Sequence, residues 1–139
     1  AGIVFRHYSL AEAERRALFD RVRRSHPGLL LLAGLAEQAA GWGADGSHGP
    51  GRGAGFRTAP AHDLAEIRVA EEMRVHLIFL WPVFPTRSHP DRPALGAQRF
   101  SELAQQSRLP IIALGGMNAE RSQGLTGAYG WAAIDAWAD

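Results

Sequence analysis

Short apolar runs recur along the chain, separated by stretches whose apolar positions fall three or four residues apart. Ile3–Phe5 is the first run and predicts a strand. Ser9-Leu-Ala-Glu12 then has the spacing of a capping box, predicting a charged helix with Leu18 and Val22 on one face that ends near Pro27-Gly28. Leu29–Leu32 is apolar without interruption, the pattern of a strand covered on both faces. A short helix over Ala36–Ala40, a weak strand over Ala44–Ser47, a glycine-rich loop over Gly49–Gly55 and a weak strand over Phe56–Ala59 follow. Asp63 and Glu66 have cap spacing for a helix carrying Leu64, Ile67, Ala70 and Met73. His76–Leu80, a helix around Leu95–Gln106, Ile111–Leu114, a helix from Asn118 and a strand over Trp131–Ile134 complete the series. Strands and helices in such alternation predict an α/β fold of parallel β/α units.

Two loops stand out against that frame. The run Pro110–Leu114 closes on Gly115-Gly116, with Asn118 where a helix begins; backbone N–H groups at such a turn can cradle a phosphate. The run His76–Leu80 empties into Trp81-Pro-Val-Phe-Pro-Thr-Arg-Ser-His-Pro90. Both loops follow the C-terminal end of a predicted strand, where sheets and barrels of this class keep their chemistry.

Composition narrows the chemistry. The 139 residues suit one domain but are short for a complete (β/α)8 barrel, which takes about 200 residues or more. There is no lysine, which excludes a lysine Schiff base, a Walker lysine and a lysine general base. The absence of cysteine excludes disulfides and thiolate metal sites and fits a cytoplasmic protein. A formal net charge of +1 makes no case for nucleic acid or a membrane surface as partner. The longest apolar run, Gly28–Ala33, is far shorter than the roughly 18 residues of a membrane span.

Taken together, Gly43-Ala-Asp-Gly-Ser-His48, Pro82-Val-Phe-Pro-Thr86 and Ala113-Leu-Gly-Gly116 resemble, in order and spacing, signature segments of the thiamine phosphate synthase family. The resemblance runs from that family's second strand to its eighth. It implies a TIM-type (β/α)8 barrel lacking its first strand, with 1–139 as a single, N-terminally incomplete barrel domain. It also implies a transferase of thiamine biosynthesis that joins a pyrimidine pyrophosphate to a thiazole phosphate and releases pyrophosphate. The partner is then a small phosphorylated heterocycle. Position by position, Gly115 and Gly116 would bind the thiazole phosphate, with Ile134 and Asp135 closing that pocket. Thr86, Arg87 and His89 would sit beside the thiazole, and Arg6 matches an arginine used on pyrophosphate, a task suited to a bidentate guanidinium.

The departures from the family pattern fall at the pyrophosphate end. Val4 and Tyr8 stand where the family has a glutamine and a lysine, and Ala33-Gly34 where it has an Asn-Asp pair supplying a magnesium ligand. Gly49-Pro-Gly-Arg-Gly53 lacks an expected second carboxylate, His89 replaces a lysine, Trp81 a small residue, and Ala59 or its neighbour a serine. Mg2+ would therefore arrive carried by the substrate, with no protein metal site. Arg6, Arg52, Arg57 and Arg87 could replace part of its charge, and His89 could meet the same anion when protonated.

Each candidate has an ordinary structural alternative. Gly115-Gly116 could serve only as a tight turn, and Arg6 as a strand-end salt-bridge residue. His48 is carried as a pocket-lining residue, although a lone histidine, His62 included, is more often a hydrogen-bonded structural group. The six histidines show no zinc-binding spacing. Trp81 and Trp131 could stack on a ligand ring, though filling the barrel interior or mouth is the favoured reading. Two other functions share the same motifs: a thiazole tautomerase, weakened by Pro82 where that branch has its histidine, and a non-catalytic phosphate-ligand-binding paralogue. Open strand edges left by an absent first strand would be covered by omitted residues, the favoured reading, or by a second subunit in a homo-oligomer.

Overall fold

The computed structural model describes residues 1–134. Among them the order is β1 (Ile3–Phe5), α1 (Glu12–Ser25), β2 (Leu30–Ala33), α2 (Ala36–Trp42), β3 (Gly46–His48), β4 (Phe56–Ala61), α3 (Leu64–Glu72), β5 (Leu77–Leu80), α4 (Gly96–Gln106), β6 (Ile111–Ala113), α5 (Ala119–Gln123) and β7 (Gly130–Trp131). The alternation expected from the apolar runs is present, and the fold is α/β with parallel strands. No helix among the described residues is long and apolar enough to cross a membrane. The chain forms two compact units, Ala1–Thr58 and the residues from Ala59 onward, with the boundary inside β4.

In the first unit the strands lie side by side in chain order, in parallel, with Ile3 opposite Leu30, Leu31 opposite Gly46, and Gly46 opposite Phe56. All four residues of β2 are buried, as its unbroken apolar run predicts. The core joins Phe5, Leu30 and Leu32 of the strands to Phe19, Ala39 and Trp42 of the helices. Phe19 meets Phe5 and Trp42 edge-on, both at 5.5 Å between ring centroids, the arrangement their ring quadrupoles favour. Leu18 and Val22 flank that cluster, half-buried.

In the second unit β5 pairs with β6 and β6 with β7, again in parallel, with Ile78 opposite Ile111 and Ile112 opposite Gly130. Its core joins Ile78, Leu80 and Ile111 to Ile67 of α3 and to Phe100 and Leu103 of α4. Asp63 caps α3 as expected, accepting the Glu66 N–H at 2.8 Å, and Asn118 caps α5 in the same way through Arg121 N–H.

Two local expectations fail. Ser9 does not cap α1: Leu10 N–H donates to His7 O, His7 adopts φ of 48°, and this turn takes up Ser9. The helix starts at Glu12 with Ala11 at its N-cap and no side-chain cap, leaving Glu12 and Glu14 to complement the helix dipole. The last strand is Gly130–Trp131 rather than Trp131–Ile134. Its partner β6 ends at Ala113 because the chain turns at Gly115, so a longer β7 would have no ladder to join.

Candidate functional site

The glycine turn and the Pro82–Thr86 loop are built against each other. Val83 N–H donates to Leu114 O at 2.9 Å and Phe84 N–H to Gly115 O at 3.1 Å. The next carbonyl, that of Gly116, accepts from Arg121 Nη1. In a planar trans peptide the N–H of the following residue points opposite to the carbonyl. Capture of the Leu114, Gly115 and Gly116 carbonyls by Val83, Phe84 and Arg121 therefore aims the N–H groups of Gly115, Gly116 and Met117 away from those partners. Among the described residues no acceptor takes these N–H groups. Successive free N–H groups beside left-handed residues form an anion-binding concavity, and Gly115 and Gly116 have φ of 103° and 61°. The pair is glycine for steric reasons too: a Cβ on Gly115 would lie 2.7 Å from Pro82 Cα, and one on Gly116 2.9 Å from Pro85 O.

Beyond that turn, Thr86 Oγ1 accepts the His89 N–H at 3.0 Å, so the threonine shapes its own loop. The loop folds His89 against Trp81 at 4.9 Å, and His62 packs against the same indole at 4.4 Å. The Arg92 guanidinium lies 5.1 Å from the Trp81 centroid. Trp81 thus gathers His62, His89 and Arg92 through aromatic and cation–π contacts. His62 bonds Glu66 through Nδ1 at 3.0 Å, the structural role ordinarily expected of a lone histidine. Trp131 packs half-buried against the core. Arg87 is exposed in the Thr86 loop. Ile134 is exposed beyond β7, and Asp135 lies outside the described residues.

In the first unit Arg6 follows β1 and His48 ends β3. The connecting element is a residue that sequence reasoning passed over. Arg15 is 8% exposed, donates from Nε to Arg6 O and from Nη2 to Ala33 O, both at 2.8 Å, and lies 5.3 Å from the ring centroids of Tyr8 and of Trp42. Arg6 shares the Tyr8 ring at 5.7 Å. His48 Nδ1 pairs with the buried Thr58 Oγ1 at 2.7 Å.

A family model described as thiamine monophosphate synthase matches residues 58–137. The chain belongs to that family. Relatives named thiamine-phosphate synthase include one from Syntrophomonas wolfei, 36% identical over 74 residues, covering 51% of this chain and 35% of that protein. Another, from Prochlorococcus marinus, is 28% identical over 123 residues, covering 80% of this chain and 35% of that protein. The chain spans less than half the length of the curated relatives it matches. Among solved structures, a thiamine phosphate pyrophosphorylase from Pyrococcus furiosus superposes with a TM-score of 0.76 at 19% identity, covering 96% of this chain and 71% of that one, a likeness of fold.

Family membership makes the donor set at the strand ends informative. Ala33-Gly34 and Gly49–Gly53 bring no carboxylate, and Ala33 O is held by the Arg15 guanidinium. Among the described residues no group of three or more His, Cys, Asp or Glu side chains could hold a metal ion. Arg15 reads in the sequence as one charge among several on an amphipathic helix; the only signal for it was its position one turn into α1 (Glu12–Ser25), facing Phe19.

Burial, and next to it the Arg6 charge, pushes His48 down from 6.5 to about 4. It is neutral at pH 7, where its Nδ1 pairs with Thr58 Oγ1. The unfolded chain takes up a proton below about pH 6.5 that the folded chain refuses until about pH 4. The stability linked to His48 is thus present in full above pH 6.5 and lost as the pH falls through that window. We expect His48→Gln to flatten the fall in urea-unfolding stability between pH 6.5 and 4; an imidazole titrating near 6.5 by NMR would contradict this assignment.

Proposed function

We propose that this chain belongs to a transferase that joins a pyrimidine pyrophosphate to a thiazole phosphate, releasing pyrophosphate. The observation that carries the proposal is the one-sided capture of the Leu114, Gly115 and Gly116 carbonyls, which leaves a row of N–H groups for a phosphate. In this reading the thiazole phosphate binds at Gly115 and Gly116, with Thr86, Arg87, Ile134 and Asp135 as further contacts. Arg6 serves the pyrophosphate, His89 adds charge when protonated, and His48 contributes a neutral hydrogen bond. The finer architecture we propose is the family's closed barrel, of which the chain supplies the strands from the second onward.

The chemistry places simple demands on the protein. The C–O bond between the pyrimidine methylene and the pyrophosphate breaks, and its electron pair leaves with the pyrophosphate. The thiazole nitrogen lone pair then closes a C–N bond on the resulting cation. Catalysis consists of stabilising charge on the leaving group and holding the two rings in reach. A guanidinium at Arg6 suits the first task, since each charge-assisted hydrogen bond contributes about 1.5–3 kcal/mol.

The test is pyrophosphate release on mixing the protein with both substrates and Mg2+, beside calorimetric titration with thiazole phosphate alone. We expect binding and turnover, with turnover reduced in Arg6→Ala. Binding without turnover would identify a ligand-holding paralogue instead, and absence of binding would remove the phosphate assignment.

A further inference from the structure

Arg121 touches both loops of the candidate site. Its Nη1 donates to Gly116 O, and its guanidinium carbon lies 4.8 Å from the centroid of Phe84, the residue whose own N–H holds Gly115 O. Neither contact is to a carboxylate. The side chain is exposed and lines an open cleft of about 540 Å³ with Phe84, Asn118 and Glu120. The peptide it grips follows a glycine at φ 61°, where no Cβ resists rotation of the plane. Rotated by half a turn, that plane would present the Gly116 carbonyl where Met117 N–H now points, setting an oxygen against any anion.

We propose that Arg121 is a positioning residue of the phosphate site: lying over the Phe84 ring and holding the Gly116 carbonyl, it keeps Met117 N–H aimed at the anion, without binding the anion itself. This rests on the reading of Gly115-Gly116 as a phosphate turn. An anion that binds only one of two peptide orientations has its apparent affinity reduced by the fraction of chain in that orientation. Loss of one hydrogen bond at about 1.4 kcal/mol shifts the balance between the two orientations by a factor of about ten, which is the upper bound on the loss of affinity.

The experiment compares wild type with Arg121→Met, Arg121→Gln and Arg121→Lys in the full chain. The readouts are the dissociation constants of inorganic phosphate and of thiazole phosphate, measured by calorimetry at several salt concentrations. Arg121→Met should bind both probes more weakly, by up to about tenfold. Arg121→Gln, whose amide can donate to a carbonyl without charge, should retain most of the affinity and the wild-type salt dependence. Unchanged binding in Arg121→Met would overturn the inference while leaving the phosphate turn standing. So would Arg121→Gln falling as far as Arg121→Met while Arg121→Lys binds normally, because the charge would then act on the anion directly. Failure of the wild type to bind either probe would remove the phosphate turn and this inference with it.

Discussion

Gly115→Ala should destabilise the second unit by about 2–6 kcal/mol and, on the proposed reading of the turn, abolish phosphate binding. Two costs add. A φ of 103° is a strained backbone for any residue with a side chain, at roughly 1–3 kcal/mol. The new methyl would also lie 2.7 Å from Pro82 Cα, 2.8 Å from Pro82 Cβ and 3.0 Å from Val83 N, and these are backbone and ring atoms that cannot swing aside. Overpacking of that kind costs about 1–3 kcal/mol more. Relief requires the Pro82–Thr86 loop to move away, which breaks the Val83 N–H bond to Leu114 O and the Phe84 N–H bond to Gly115 O, and with them the alignment of the free N–H groups. Thermal unfolding and phosphate titration check the two halves of the expectation. A variant that melted within a degree of wild type and bound phosphate normally would show that the two loops do not depend on each other.

Arg15→Met should cost about 2–5 kcal/mol, for a different reason. The methionine would fill most of the space but donate nothing, leaving Arg6 O and Ala33 O without the partner each has at 2.8 Å. The buried Ala33 carbonyl left unsatisfied costs about 1–3 kcal/mol, the part-buried Arg6 carbonyl costs less, and the contacts to Tyr8 and Trp42 are lost as well. Arg15→Lys should recover only part, because an ammonium group lacks the planar fork that spans the ends of β1 and β2. Urea unfolding measures both. A loss under about 1 kcal/mol in Arg15→Met would show that water satisfies the two carbonyls. If Arg6 serves the pyrophosphate as proposed, the same variant, through its loss of the grip on the Arg6 main chain, should raise the concentration of pyrimidine pyrophosphate needed for half-maximal turnover.

The strands were legible because a buried strand writes its period, or its lack of one, directly into the chain: Leu29–Leu32 predicted β2 to within a residue, and all of β2 is buried. Asp63 was legible because a cap is a local device, its acceptor and the Glu66 N–H only a turn apart. Ser9 shows the limit of the same logic. Its spacing to Glu12 was correct for a cap, but the left-handed His7 bent the chain first, and no local pattern announces a non-glycine residue in that conformation.

Local pattern along the chain carried the α/β alternation, the two loops at strand ends and the family. Tertiary structure alone decided which of the many arginines matter. Arg15 and Arg121 look like their neighbours in the chain, yet one closes two strand ends and the other lies over Phe84 and holds Gly116 O. It also decided that burial holds the His48 pKa well below its ordinary value and that Trp81 gathers His62, His89 and Arg92. The physical reason is common to all of them. Period and capping are properties of neighbours along the chain, whereas the partner of a guanidinium and the solvation of an imidazole depend on groups that only folding brings within a few ångströms.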